Sequence, residues 1–292
     1  MFNKLLQWFG CRTANSKPAN QVLFSVVLGS YNRGSLLQHA IESVRENATF
    51  AKHEIIVVDG GSTDGSLEWL SRQKDVITII QHNHGEFRGK PIERRSWGYF
   101  MNLGFKAAQG KYILMISDDC VLLPNAVEQG INAFEKHLAQ RQKIGGAAFY
   151  FRNWPSESDY YVQRTLGGKL MVNHGLFLRE ALEKVGWIDE SNYAFYKADG
   201  DLCLRLWQAG YKIIDAPDAI VEHYLDDNET VRLQNNTTLE QDKKTYAARW
   251  KRLVLLSNVT GKMGKLTLKF DDPQHTAERC FSDLAASTRH DS

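Results

Sequence analysis

The residues best able to do chemistry in this chain are acids that follow apolar runs. Ser117-Asp118-Asp119 comes directly after the run Tyr112 to Ile116. Adjacent carboxylates at the end of a buried strand repel each other and lose hydration. A divalent cation bridging a diphosphate relieves both costs. Mg2+ or Mn2+ takes one or two carboxylates and fills its other positions with phosphate oxygens and water. The same residues also fit a solvated turn before Pro124. Asp59 ends a second apolar run, in Val58-Asp59-Gly60-Gly61-Ser62-Thr63-Asp64-Gly65. An acid there accepts hydrogen bonds from a ribose or a base, although Asp, Gly and Ser also simply form turns. Asp64 reads as a helix N-cap.

Asp199-Gly200-Asp201 opens a helix, whose positive end would lower the pKa of both acids. A weak carboxylate base still suffices where a hydroxyl attacks a sugar, because that hydroxyl becomes acidic only as its new bond forms. One acid can cap the helix while the other takes the proton. His223 lies in Val221-Glu222-His223-Tyr224, where a neutral imidazole is either a Mn2+ ligand or a structural side chain. Arg94 and Arg95 stand at the start of an expected helix, within reach of a phosphate or on a solvated face. His82 and His84 read as loop residues rather than as a second metal site, since no acidic partner has the matching spacing.

Apolar runs rich in branched residues must position these groups. Val22 to Leu28, Glu54 to Val58, Val76 to Ile80 and Tyr112 to Ile116 read as strands, with helical periodicity between them at Leu37, Ala40, Ile41 and Val44 and again before Gly110. Pro124 is expected to open a further helix. Buried strands alternating with amphipathic helices predict an α/β sandwich, Rossmann-like, around a mostly parallel central sheet. Ligands of such sheets sit outside the carboxyl ends of the strands. Those ends carry Gly29-Ser30-Tyr31-Asn32-Arg33, Asp59-Gly60-Gly61 and Ser117-Asp118-Asp119. No GxxxxGK[ST] or GxGxxG segment is present, so acids and loops, not a glycine nest, are expected to hold a nucleotide.

In the second half, strands are expected at Ala147 to Phe151, Val172 to Leu178, Ile213-Ile214 and Ala219 to Val221, with helices over Arg179 to Val185 and from Asp199. Residues 226–244 are polar, Tyr246 to Leu256 reads as a basic helix, and the last 20 or so residues read as loose. Residues 1–20 read as an N-terminal extension ending in a linker, with Met1 to Gly10 as a terminal helix or an interfacial anchor. The domain reading is therefore 1–20, a main domain 21–225 with a donor-binding half (21–120) and an acceptor and catalytic half (121–225), and an extension 226–292.

The 292 residues are 43% hydrophobic and 24% charged with a net charge of +2, and the scattered basic residues give no nucleic-acid face. Cys11, Cys120, Cys203 and Cys280 form no CxxC pair, so a reducing cytoplasm is the simplest location. No run approaches the roughly 18 apolar residues of a membrane span. The basic helix near Arg249, Lys251 and Arg252 either packs on the domain or meets the inner face of an anionic membrane, so peripheral membrane contact stays open.

In this order, the motifs resemble family-2-type glycosyltransferases of the GT-A fold. Ser25 to Arg33 (SVVLGSYNR) resembles the opening strand with its TYNR-like end, and Val57 to Ser66 (VVDGGSTDGS) resembles a VDDGSTDGT-like segment. Asn102-Leu103-Gly104, followed by Ala107 to Ile113, resembles the N-x-G…A-x-G-x-Y-I stretch. Gly186 to Glu190 (GWIDE) resembles GGFDE, and Asp199 to Arg205 resembles the EDxDLxxR helix start. The likeness runs from about residue 22 to 225.

The resemblance implies inverting transfer of a sugar from a nucleoside-diphosphate sugar donor to a hydroxyl of a saccharide or glycolipid acceptor, in bacterial surface polysaccharide or glycolipid assembly. It implies Asp199 as the catalytic base and Asp201 as mainly structural. Ser30, Tyr31, Asn32, Arg33, Asp59, Arg95 and Asp118 would bind the donor, and Asp119 and His223 would hold the Mn2+ or Mg2+ cofactor. Ser117 stands where DxD has its first acid, and Ala198 where the ED pair has its Glu. Asp119 is therefore the one firm carboxylate ligand. The alternatives are a non-catalytic nucleotide-sugar-binding protein and a polyprenyl-phosphate glycosyltransferase. A nucleotidyltransferase would need a basic glycine-rich loop that Gly29 to Gly34 does not supply.

Overall fold

The computed structural model describes residues 21–224, 229–256 and 264–287. The readings of residues 1–20 as an extension with a terminal helix or anchor lie outside this range.

The first half alternates as its periodicity predicts. In order it holds β1 (Phe24–Ser30), α1 (Gly34–Asn47), β2 (His53–Asp59), α2 (Ser66–Leu70), β3 (Val76–Ile80), the short hairpin β4 (Glu86–Phe87) and β5 (Lys90–Pro91), α3 (Trp97–Ala107) and β6 (Tyr112–Met115). Strands β3, β2, β1 and β6 are neighbours and run parallel. In register, Ser30 lies opposite Asp59, and Val27 lies opposite Met115. The polar segments that follow these strands therefore emerge at one edge of the sheet.

The second half holds β7 (Cys120–Leu122), α4 (Ala126–Ala139), β8 (Ile144–Trp154), β9 (Tyr160–Gln163), β10 (Gly175–Leu178), α5 (Arg179–Val185), α6 (Ala198–Gln208), β11 (Lys212–Tyr224), α7 (Glu229–Arg249), α8 (Lys251–Leu256), β12 (Lys265–Leu268) and α9 (Thr276–Ser287). The same sheet continues through β10, β8, β9 and β12, with β11 pairing both β7 and β8. The antiparallel pairings of this sheet all involve strands of this half, and β10 joins it to β6 of the first. One core packs α1 and α4 on one face, through Leu37, Ile41, Val127 and Phe134. The other face is covered by α3, α5 and α6, through Phe105, Leu182, Leu202 and Leu206.

Two glycines explain why the N-x-G and A-x-G segments are so legible. A Cβ on Gly104 would stand 2.5 Å from the Val27 side chain, and one on Gly110 would stand 2.6 Å from the Phe24 backbone. Both are sites where helix or turn touches the sheet too closely for any side chain. Asn102, on the same helix, is buried and clamps the Gly186–Glu190 segment. It accepts from the Ile188 N–H at 3.1 Å and donates to the Ile188 carbonyl at 2.9 Å and to Glu190 at 2.7 Å.

The structure departs from the expectations at four places. The helix expected at Pro124 starts two residues later, at Ala126, with Asn125 at its cap. The two short strands expected around Ile213 and Ala219 are one strand, β11, with a register shift between Ala216 and Ile220 where Pro217 interrupts the ladder. The polar stretch 226–244 is largely the helix α7, which continues through Tyr246 to Arg249, so the expected basic helix is divided between α7 and α8. The expected loose tail carries α9, whose Phe281 is fully buried against Trp154 and Tyr224.

Helix α7 has no apolar stripe, and side-chain hydrogen bonds dock it. Asp242 accepts from the backbone N–H groups of Ala194, Phe195 and Tyr196 at 2.8–3.0 Å. Asn235 accepts from Arg94 at 2.6 Å, and Asn236 accepts from the Tyr196 hydroxyl at 2.8 Å. The loop between α5 and α6 is thus pinned by α7.

Candidate active site

The strand-end segments are stitched together. Asn32, in the left-handed region with φ 51, accepts from the Thr63 N–H at 2.8 Å, while its own N–H donates to Ser62 Oγ at 2.9 Å. Asp59 is fully buried, and its carboxylate accepts from the Gly61 N–H, the Ser62 N–H and the Ser62 hydroxyl at 2.7–2.8 Å. Asp59 therefore shapes the turn that follows β2. Asp64 accepts from the Gly34 N–H at 2.9 Å and from Ser66, so it caps α1 as well as the turn into α2. The Tyr31 ring stacks on His84, with centroids 4.1 Å apart.

Asp118 and Asp119 are both nearly buried. Arg33, arriving from the end of β1, meets both: its guanidinium donates to Asp119 and lies 3.4 Å from Asp118. His223 Nε2 stands 3.3 Å from Asp119 Oδ1. Burial, aided by the charge of Asp119 and opposed by Arg33, pushes the Asp118 carboxyl up to about 7. Burial acts against the charge on Asp119 too, but His223 and Arg33 outweigh it and hold that carboxyl well below the usual range. His223 is the counterpart: burial opposes its charge, and Asp119 raises its pKa nonetheless. The acid pair therefore carries one firm negative charge, on Asp119, with cationic groups already against it. A carboxylate oxygen and an imidazole nitrogen converging at this separation are a donor set that fits a divalent ion.

The second half brings Asp199 to the same place through two adjacent residues. Asn173 Nδ2 donates to Asp199 Oδ2 at 3.2 Å, and the next residue, His174, stands 3.5 Å from Cys120 Sγ and stacks obliquely on His223 at 5.4 Å. The segment Asn173-His174 thus bridges Asp199 to the acid pair. The helix dipole was expected to lower the Asp199 pKa. Desolvation by the packed protein instead raises it, and backbone N–H bonds, led by that from Gly200 at 2.7 Å, and the charge of Lys197 offset only part of that. Asp201, two residues on, is fully buried and serves as a structural anchor. It accepts from Arg205 at 2.7 Å, Trp250 at 3.0 Å and Tyr193 at 3.1 Å, and pairs with Arg249 at 3.2 Å.

Arg95 is placed differently. It pairs with Glu93 at 3.1 Å and lies over the Tyr99 ring, on the approach to α3 rather than against the acid pair. Sequence reasoning missed Asn153, Asn173, Cys120 and His174 as neighbours of the site. No local spacing links Cys120 to His174, which are 54 residues apart.

Residues 25–186 match the profile of glycosyl transferase family 2. The chain belongs to that family. Relatives of this family 2 glycosyltransferase include an uncharacterised glycosyltransferase of Nostoc sp., 34% identical over 38% of this chain and 32% of that protein. An uncharacterised glycosyltransferase of Rickettsia typhi is 27% identical over 78% of this chain and 70% of its own length. An Escherichia coli protein, the UDP-Glc:alpha-D-GlcNAc-diphosphoundecaprenol beta-1,3-glucosyltransferase WfaP, is 23% identical over 60% of this chain and 68% of its own. The chain thus spans about a third of the Nostoc relative's length. Among solved structures, TarS of S. aureus (residues 1–349) superimposes with a TM-score of 0.53 at 14% identity, covering 70% of this chain and 60% of TarS. That likeness shows the GT-A fold. TarS has also been solved with UDP and with UDP-GlcNAc. No helix among the described residues of the family 2 chain is long and apolar enough to cross a membrane.

Proposed function

We propose that this chain is an inverting glycosyltransferase of the hexosyltransferase type, moving a sugar from a nucleoside-diphosphate sugar to a hydroxyl of a saccharide or glycolipid acceptor in bacterial surface polysaccharide or glycolipid assembly. The observation that carries it is the bridge Asn173-His174, which joins a raised, partly exposed carboxylate at Asp199 to the acid pair at the sheet edge. The UDP ligands of TarS and the glucosyltransferase activity named for WfaP support a UDP-sugar as the donor class.

In this reading residues 21–120 bind the donor and 121–225 the acceptor, with 226–292 as an extension that holds the acceptor loop. Tyr31 offers an aromatic face to the base. Ser30, Asn32 and Asp59 shape the turn around it. Arg33 and Asp118 contact ribose and diphosphate, and Arg95 offers a further cation to a phosphate entering from the α3 side. Asp119 and His223 would hold Mn2+ or Mg2+, which when bound neutralises charge on the leaving diphosphate. Asp199 accepts the acceptor's hydroxyl proton late in the attack, and its raised pKa makes it a stronger base than an exposed carboxylate. Asn173 fixes its orientation.

Two tests belong here. Asp119→Ala is expected to abolish the gain in donor affinity that Mn2+ confers, read by titrating a UDP-sugar with and without the ion. A gain equal to that of the wild type would remove Asp119 from the ion site. The pH profile follows from Asp199. The base works only ionised, and its pKa lies above the ordinary 3.8. The acid limb of kcat/KM is therefore expected above the usual carboxylate range, with activity lost as pH falls through it, and the limb should vanish in Asp199→Asn. A limb at the ordinary value would contradict a desolvated base.

The basic residues expected to face a membrane are partly committed elsewhere. Arg249 binds Asp189 at 2.6 Å and Asp201, which favours a packed helix over a lipid surface at that position. Lys251 and Arg252 remain exposed beside Leu255. A lipid-linked acceptor on the inner face of the membrane is thus compatible with a chain that, among its described residues, touches lipid through α8.

A further inference from the structure

We propose that Cys120, His174 and His223 form a binding site for a thiophilic divalent ion of the zinc class. The inference deepens the ion site invoked above, by adding ligands that a Mg2+ or Mn2+ centre would not use. It rests on position, ligand chemistry and the surroundings of the imidazoles.

Position is fixed by the sheet. Cys120 and His223 are direct partners across the antiparallel pair β7–β11, so their side chains leave the same face. His174 is delivered to that face by the start of β10, where its carbonyl accepts from the Phe149 N–H at 3.0 Å. One ligand atom from each of the three residues lies within 4.8 Å of the others. A tetrahedral zinc with Zn–S about 2.3 Å and Zn–N about 2.0–2.1 Å requires a sulfur–nitrogen edge of about 3.6 Å. Cys120 Sγ to His174 Nδ1 measures 3.5 Å. The fourth corner also has a candidate, since Asp119 Oδ1 lies 3.3 Å from His223 Nε2 and 3.9 Å from Cys120 Sγ.

The chemistry of the donors selects the ion. A thiolate with two imidazoles suits Zn2+ or Co2+, whereas Mg2+ prefers an all-oxygen shell. His174 is buried, and among the described residues the Cys120 thiol is the hydrogen-bond partner of its ring.

An outer shell is already built. Asn153 donates its amide N–H to Glu157 at 2.9 Å, so its Oδ1 is the atom that faces His223 Nδ1 at 2.7 Å. The Nδ1 position therefore keeps its proton, and Nε2, which faces Asp119 and the trio, is the nitrogen left to bind an ion once its own proton is displaced. That is the arrangement a metal-bound histidine takes. The Phe151 ring meets His174 edge-on at 4.8 Å and His223 at 6.3 Å, packing against both imidazoles. Binding displaces the thiol proton and the Nε2 proton of His223 to solvent and forms bonds from sulfur and two nitrogens to the ion, with no redox change.

Cobalt reports on this site without any glycosyl transfer. The full chain, stripped of metal with a chelator, is titrated with CoCl2 and followed by absorption. The expected result is a thiolate-to-cobalt charge-transfer band with intense tetrahedral d–d absorption, saturating at one ion per chain. Equimolar ZnCl2 should erase both bands, and excess MgCl2 should not. Cys120→Ser, close to isosteric, should lose the charge-transfer band while its thermal melt matches the wild type. Asn153→Ala should keep the band but bind about 10–100-fold more weakly. A weak octahedral spectrum with no thiolate band would overturn the trio and leave the Asp119 and His223 site standing. A thiolate band that survives in Cys120→Ser would assign the ion to another cysteine and also overturn it. No cobalt binding at all would overturn both this site and the ion site of the proposed function.

Discussion

Asp199→Asn is expected to lower transfer by about 10²–10⁴-fold, the range a positioned general base contributes, while donor binding stays measurable. The substitution removes the proton acceptor and little else. Asp199 Oδ1 takes the Gly200 N–H at 2.7 Å, and the oxygen of the new amide can keep that bond. Asp199 Oδ2 takes Asn173 Nδ2 at 3.2 Å, where the new amide would present an NH2 group. The Asn173 side chain can turn over to meet it, because its own Oδ1 is buried without a hydrogen-bond partner. The hydrogen-bond pattern is preserved and the fold should hold. Steady-state transfer and calorimetric titration of the nucleotide separate the two effects. Turnover close to wild type would exclude Asp199 as the base. Loss of nucleotide binding together with turnover would instead make it a structural residue.

Two residues along the helix, Asp201→Ala should have the opposite signature: a loss of about 3–5 kcal/mol in stability. Asp201 is a buried anion surrounded by donors from three parts of the chain. Arg205 lies on its own helix, Tyr193 on the preceding loop, and Trp250 and Arg249 follow along and after α7. The Asp201 side chain has no solvent exposure and that of Arg205 only 12%. Removing the carboxylate strands the Arg205 guanidinium in a poorly solvated site and frees the indole N–H of Trp250. With a total stability of about 5–15 kcal/mol for a typical domain, the variant is expected to show a large drop in its urea midpoint. A change below about 1 kcal/mol would place the Arg205 pair with exposed ion pairs. The contrast between positions 199 and 201 is the useful result, since one helix turn then carries a chemical acid and a structural one.

The first half of the fold was legible because its strands are buried on both faces and its helices carry apolar stripes, the patterns that periodicity detects. The strand-end rule then points to Ser30 through Arg33, Asp59 and the acid pair. Elements lacking those signals were not found. The strand β7 is three residues long and follows the acids directly. Pro217 and Asp218 divided β11 into two short readings. Helix α7 has no apolar face, so its composition suggested only a polar stretch. The neighbours Cys120, His174 and Asn153 are far apart in the chain and meet only through β7, β8, β10 and β11. The pKa of Asp199 was misjudged for a related reason: a helix dipole can be read from sequence, whereas desolvation depends on what packs over the side chain.

The docking of α7 has a further consequence. Most of its contacts with the body, at Asn235, Asp242, Tyr246 and Arg249, share one side of the helix, with Asn236 beside them. A greasy stripe accepts any residue of similar bulk, but a row of donors and acceptors must meet its partners one by one. A single inserted residue would turn every later anchor by about 100° and part Asp242 from the backbone it holds or Arg249 from Asp189. The placing of the loop before Asp199 is thereby indexed to a count of residues along a helix whose described anchors touch none of the acids at the strand ends. Helix α7 works as a ruler, and length along it is as much a determinant of where the loop before Asp199 sits as the identity of any residue there.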